Sequence, residues 1–262
     1  MDFSDPLTAE FPSRNILPEE DEVAYELHME KQYLAKPSID CELMEHLPAS
    51  RSIVLLYGKV GCCLKPALVD GACIGSISVP TLSHIASDQE STYGKGKIVS
   101  SIYKGLFSTL VICVEDVPAQ EQATAWVDTV LDACGASSVI IVGSCPGYRY
   151  KGIFDGSEQD QIFCLHTHAR RATHACKPLP LGNLLCGVEA ATMLHCELEN
   201  IKASALIAIE LSQCPRYDMA CNLGEALMSE LGENGLSQEA KQSIKRFTTQ
   251  QYATSADLSV YV

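Results

Sequence analysis

No stretch of this 262-residue chain stays apolar for the roughly 20 residues that a bilayer-crossing helix needs. The opening residues, Met1-Asp2-Phe3-Ser4-Asp5-Pro6, hold neither the basic segment nor the apolar run of a secretory signal. These absences predict a soluble protein that is not exported. Basic residues are scarce too: 19 Lys and Arg stand against 33 Asp and Glu, and the formal net charge is −14. A surface that neutralises phosphates needs clustered cations, so nucleic acid and anionic membranes are excluded as partners. The acidity fits solubility or steering toward a basic partner surface.

Most signatures of catalysis are missing as well. The sequence has no Gly-x-Gly-x-x-Gly, no Walker loop, no Cys-x-x-Cys pair, no internal repeat and no low-complexity segment. No cofactor is expected. Cysteine, in contrast, is abundant: there are 13, an odd number, in a chain too long to need a disulfide framework. Several sit in apolar segments, such as Cys113 in Leu110-Val111-Ile112-Cys113-Val114. Thiols placed this way behave as small hydrophobes in a reducing compartment, which predicts the cytosol together with the nucleus.

Hydrophobic residues make up 47% of the chain, enough for a proper core. Residues 1–36 read as an acidic extension with the charge run Glu19-Glu20-Asp21-Glu22 and a short amphipathic helix over 22–34. A single α/β domain over 37–247 follows, then a flexible tail over 248–262 whose polar run 248–259 has neither helical nor strand period. Within the domain, buried strands are expected at 53–57, 108–114, 138–142, 162–166 and 203–211, with weaker ones at 72–78 and 98–103. Helices are expected at 118–134, 184–196, 217–231 and 237–247, the first opened by Pro118 and closed by Gly135. Apolar strands alternating with helices predict a three-layer α/β sandwich with a largely parallel central sheet. The helix at 184–196 is expected to pack into its own core rather than face a partner.

Two motifs invite a catalytic or metal reading. Gly143-Ser144-Cys145-Pro146-Gly147 after a strand has the Gly-x-Cys-x-Gly spacing of a nucleophile elbow. The residue after the nucleophile should offer its N–H to an oxyanion, and Pro146 has none. No helix pattern begins there either, so a tight turn is expected and Cys145→Ala should leave structure and function intact. Cys164, His166, His168, His174 and Cys176 include good zinc ligands, but no second knuckle accompanies them and Arg170-Arg171 would repel a cation. A polar edge or loop without metal is expected. Cys62-Cys63 cannot bridge without strain, Gly94-Lys95-Gly96-Lys97 reads as a surface turn, and His195-Cys196 reads as a partly buried core pair.

The last three residues, Val260-Tyr261-Val262, put an apolar side chain, an aromatic ring with a polar tip and a terminal carboxylate together. A groove with apolar walls and one lysine could read all three. With this ending, the chain resembles the proteasome assembly chaperone 1 family from about residue 108 to 262. The likeness lies in Thr109-Leu110-Val111-Ile112-Cys113, the helix around Trp126, and the strand 139–142 leading into Tyr148-Arg149-Tyr150-Lys151. It continues through Leu179-Pro180-Leu181-Gly182-Asn183-Leu184, Ala190-Ala191, the strand 205–210, the closing helices and the ending.

The resemblance implies a non-enzymatic chaperone with a fold related to nucleoside-processing proteins. It implies pairing with a second, related protein, proteasome assembly chaperone 2. The pair would promote formation of the 20S proteasome α-ring from α-subunits and prevent off-pathway α-ring dimerisation. Val260, Tyr261 and Val262 would dock between neighbouring α-subunits. Two alternatives remain open. One is a regulator or adaptor that binds mature proteasomes through the same tail. The other is a nucleoside-phosphorylase-like or hydrolase enzyme, which predicts a polar pocket with a matched acid–base pair where the chaperone predicts none.

Overall fold

The structure is a computed structural model that describes residues 38–40, 51–80, 97–116, 118, 120–152, 162–170, 176–210 and 216–259. In chain order the elements begin with β1 (Ser38–Asp40), β2 (Arg51–Tyr57), the short helices α1 (Gly58–Cys62) and α2 (Lys65–Leu68), and β3 (Val69–Pro80). Next come β4 (Lys97–Gly105), β5 (Leu110–Val114), a 3-10 turn at Gln120–Gln122, α3 (Ala123–Cys134) and β6 (Ala136–Pro146). The chain then forms a 3-10 turn at Gly147–Arg149, β7 (Ile162–His166), β8 (Lys177–Pro178) and α4 (Gly187–Leu198). It closes with β9 (Lys202–Glu210), α5 (Tyr217–Leu231) and α6 (Gln238–Ser259).

The four most aliphatic strands occupy the middle of one sheet, ordered β1-β3-β4-β5-β2-β6-β9-β7-β8. β5, β2, β6 and β9 run parallel, while β1, β3 and β4 on one side and β7 on the other join by antiparallel pairing. Among the described residues, helices cover both faces of the centre, and there the strands read as near-continuous Val, Ile and Leu. Alternation along β2 divides the core. Ile53 and Leu55 face the layer containing α3 and α4 with Trp126, Val130, Val188 and Met193. Val54 and Leu56 face the opposite layer, which holds α1, α2, α5 and α6 with Leu64, Leu223, Leu227 and Ile244. The protein is thus a three-layer α/β sandwich.

The expected central strands and α5 stand where the patterns put them; α3 ends at Cys134 as expected but starts at Ala123 behind the 3-10 turn Gln120–Gln122, so Pro118 does not open it. Gly135 and Gly232 end those helices in the left-handed conformation (φ 58° and 79°), which an L side chain rarely adopts. β6 runs further than expected, through Pro146, because its last residues pair with β9 up to Pro146 opposite Glu210. α6 also departs from expectation: it continues past residue 247 to Ser259. Thr248 is buried, and its hydroxyl donates to the carbonyls of Ile244 and Lys245, a local bond compatible with the helix. The extension 1–36 and the turn 94–96 lie outside the described residues. Among those that are described, no helix is long and apolar enough to cross a membrane.

Trp126 is fully buried between α3 and the sheet, yet its indole N–H has no acceptor among the described residues. An unpaired buried donor costs about 1–3 kcal/mol. Trp126→Phe removes that donor and some apolar contact together, so the two effects offset. Urea denaturation followed by circular dichroism should place the variant within about 1 kcal/mol of the parent chain.

Candidate functional site

Two places carry functional potential: the terminus, and a cleft where parallel strands end. Val260, Tyr261 and Val262 lie outside the described residues; α6 carries the chain as far as Ser259, immediately before them.

The cleft arises from the strand order. β5 and β6 are separated by β2, so the chain crosses over β2 and leaves a crevice beyond the carboxyl ends of the parallel strands. Its floor is Tyr57 at the end of β2 and Ser144, Cys145 and Pro146 at the end of β6. The first turn of α4 supplies Gly187 and Glu189, preceded by Leu184, Leu185 and Cys186, and Arg149 stands at the mouth. The enclosed volume is about 290 Å³.

Glu189 dominates the chemistry. It is only 5% exposed, and one carboxyl oxygen, Oε1, has no hydrogen-bond partner among the described residues. The Ser144 backbone N–H donates to the carboxyl group. A Cβ at Gly143 would overlap Oε1, so glycine there lets the acid lie against the strand. Burial pushes the Glu189 pKa up to about 8; the charge of Glu210 adds to this and the Ser144 N–H opposes it. Burial and then the Glu189 charge also raise the Tyr57 phenol, which accepts the Val188 backbone N–H. Burial thus biases both the carboxyl group and the phenol toward their protonated forms.

That shift fixes a sign. A carboxyl whose folded pKa lies above its unfolded value binds its proton more tightly in the folded state. Its contribution is fully present below about pH 4.5 and is lost as pH rises toward about 8. Glu189→Gln keeps the shape and cannot ionise. Relative to the parent chain, the variant should gain stability with rising pH across that window, by at most about 1.4 kcal/mol per pH unit. Thermal melts at several pH values would check this; parallel curves would refute the burial argument.

Other sequence motifs resolve differently. The segment Gly143–Cys145 is strand rather than the expected turn, and a 3-10 turn rather than an α-helix follows Pro146. Burial, followed by the Glu189 charge, raises the Cys145 thiol, the opposite of nucleophile activation. Among the described residues no cluster of three or more His, Cys, Asp or Glu could hold a metal ion. Cys164 is buried and donates to the Cys176 carbonyl, and His166 contacts Glu230 at 3.3 Å. The His168 backbone N–H donates to Glu197, and His174 lies outside the described residues. Cys196 is fully buried, while His195 pairs with Asp128 at 2.8 Å and so ties α4 to α3. α4 does pack inward through Val188, Thr192, Met193 and Cys196, leaving Leu194 and Leu198 exposed.

No family model matches the chain, and no curated protein matches it. Solved structures do. Pyrococcus furiosus PbaB, an archaeal proteasome activator, superposes with a TM-score of 0.59 at 9% identity, covering 86% of this chain and 100% of that one. Pyrococcus furiosus PbaA, an archaeal homolog of proteasome-assembly chaperone, gives 0.54 at 14% identity, covering 82% and 94%. A protein of unknown function from Thermoplasma acidophilum gives 0.53 at 13% identity, covering 83% and 93%. The chain shares their fold. At these identities the likeness concerns architecture alone.

Sequence reasoning missed the cleft. Glu189 is the only acid in the first turn of α4, next to the buried Val188. That isolated charge was the available signal, but its neighbours Tyr57 and Ser144 come from distant parts of the chain.

Proposed function

We propose that this protein is a non-enzymatic chaperone of 20S proteasome assembly. It pairs with proteasome assembly chaperone 2 in the cytosol and nucleus. The pair promotes α-ring formation and prevents off-pathway α-ring dimerisation. Val260, Tyr261 and Val262 dock in a pocket between α-subunits, with the terminal carboxylate opposite a lysine. The observation that carries the reading is the shared fold with PbaA and PbaB over more than four-fifths of this chain. The hydrophobic–Tyr–x ending supports it independently, because its three recognition elements suit one groove.

The acidic balance of −14 favours a basic partner surface and disfavours nucleic acid. The cleft around Glu189 keeps an enzyme reading alive, because such a reading expects a polar pocket there. Its described lining contains no histidine, and the Cys145 thiol is held protonated. Glu189, raised to about 8, is suited to acid–base work, but the cleft's described lining gives it no second group poised near neutral pH, so the matched pair of the enzyme reading is incomplete.

Capture from cell lysate with the full chain, read by mass spectrometry, tests the proposal. Recovery of a second chaperone with α-subunits and immature β-subunits supports it. Recovery of finished proteasomes alone would mean a regulator or adaptor instead. If no proteasome subunit appears, the likeness to PbaA and PbaB is one of fold only.

A further inference from the structure

We propose that the groove between the carboxyl-terminal halves of α3 and α4 docks a basic amphipathic helix of a partner protein. The groove has an apolar floor and wall: Leu131 is buried at its base, while Leu194 and Leu198 line it and remain 60% and 74% exposed. A single exposed leucine needs no explanation. Two of them one helical turn apart, over a buried third, form a patch of the kind that marks an interaction site. The enclosed volume is about 770 Å³, room for several aliphatic side chains.

Charge sets the chemistry of the occupant. α3 leads into β6 and α4 into β9, and these strands are parallel, so both helices end at the same edge of the sheet. Their dipoles bring partial negative charge to that end. The last turn of α3 has no basic residue, and that of α4 has only His195, which Asp128 already engages at 2.8 Å. Asp132 and Glu199 line the groove, are exposed, and form no ion pair among the described residues. No described Lys or Arg lines it. A partner must therefore bring the cations.

The neighbouring backbone favours a helix over an extended peptide. The strand nearest the groove, β6, is paired on both sides, with β2 and β9, so no free strand edge is offered. Recognition then runs through side chains, as when an amphipathic helix lies in a groove. The wall from Ala191 to Leu198 is about 10 Å long, close to two helical turns. It suits aliphatic anchors at i, i+3 or i+4 and i+7, with Lys or Arg beside them facing Asp132 and Glu199.

The probe is a synthetic helical peptide of about 15 residues with leucines along one face and lysines flanking them. Methyl spectra of the full chain should show saturable shifts of the Leu131, Leu194 and Leu198 signals. Replacing the lysines by glutamates should weaken binding at least about tenfold, and so should scrambling the order so that the leucines share no face. The scrambled peptide keeps its charge, so it separates docking from general attraction to a chain of net charge −14. Leu194→Ser with Leu198→Ser should weaken binding about tenfold or more. Both side chains are exposed, so this variant keeps its fold, which thermal melts would verify. Asp132→Lys with Glu199→Lys should invert the preference in favour of the glutamate peptide.

The proposal is overturned if the lysine peptide gives no saturable shift at millimolar concentration, if the scrambled peptide binds equally well, or if the serine variant binds as the parent does. Sedimentation of the parent as a dimer and of the serine variant as a monomer would assign the groove to a second copy of this chain, and would overturn it too. No proteasome subunit enters these measurements, so their failure leaves the proteasome reading untouched.

Discussion

On the proposed function, a chain ending at Ser259 is expected to bind purified α-ring precursors about 20-fold more weakly than the full chain, with pairing to the second chaperone unchanged. Burying one valine and one tyrosine contributes about 3–5 kcal/mol. A charge-assisted contact to the terminal carboxylate adds about 1.5–3 kcal/mol. Opposing these is the ordering of the docked segment, about 1–2 kcal/mol per residue. Because α6 runs to Ser259, the docking segment Val260–Val262 follows the helix directly, and ordering these three residues costs about 3–6 kcal/mol. The balance is then about 1.8 kcal/mol, which corresponds to the stated change in affinity.

Ordering a whole fifteen-residue floppy arm would cost more than the entire gain. A helix also shortens the reach: residues 248–259 span about 18 Å as a helix against about 40 Å extended. If the proposed docking holds, the pocket lies within about 18 Å of the residue-247 end of the folded body. Biolayer interferometry with the two chains, and with Tyr261→Ala, would check the numbers. Equal affinities would sink the docking mechanism. A loss of affinity accompanied by loss of heterodimer would place the terminus in the dimer contact instead.

The central strands were legible because both of their faces are buried. Ile53, Val54, Leu55 and Leu56 are all apolar whichever way they point, so no period is needed to recognise them. α5 was legible for the opposite reason, having an apolar stripe through Ala220, Leu223 and Leu227 and a closing glycine. β3 was faint. Gly71, Cys73, Gly75, Ser76 and Ser78 interrupt any apolar pattern, and β3 is recognisable chiefly through its long antiparallel pairing with β4.

The end of α6 failed on propensity. Thr248, Thr249 and Gln250 suggest a coil, but Thr248 is buried and its hydroxyl satisfies itself on the preceding turn. The cleft was illegible because it is assembled from the ends of β2, β6 and α4, whose adjacency follows from strand order rather than local pattern. Likewise Cys164 and His166 looked like a metal half-site only while their partners were unknown.

Those partners set up the second large effect: Arg170→Ala should destabilise the fold by about 3–5 kcal/mol. The Glu230 side chain is fully buried on α5, and its Oε2 lies 2.7 Å from Arg170. The Ser204 hydroxyl on β9 also donates to Oε2, and His166 on β7 contacts Oε1. Arg170 further donates to the Glu230 carbonyl and to Ser138 on β6. One guanidinium thus ties α5 to the sheet and neutralises a carboxylate that water cannot reach.

Removing only the cation leaves the acid without its principal counter-charge in a medium of low polarity, which costs more than the pair itself contributes. The double variant Arg170→Met, Glu230→Leu should recover most of the loss, because neither charge is then buried. For a domain of this size the single change corresponds to a melting temperature about 10 °C lower. Differential scanning calorimetry on the parent, the single and the double variants would decide it. A double variant as unstable as the single one would mean that Arg170 acts through its packing and its bonds to backbone and Ser138. A single variant close to the parent would mean that His166 and Ser204 suffice to hold Glu230.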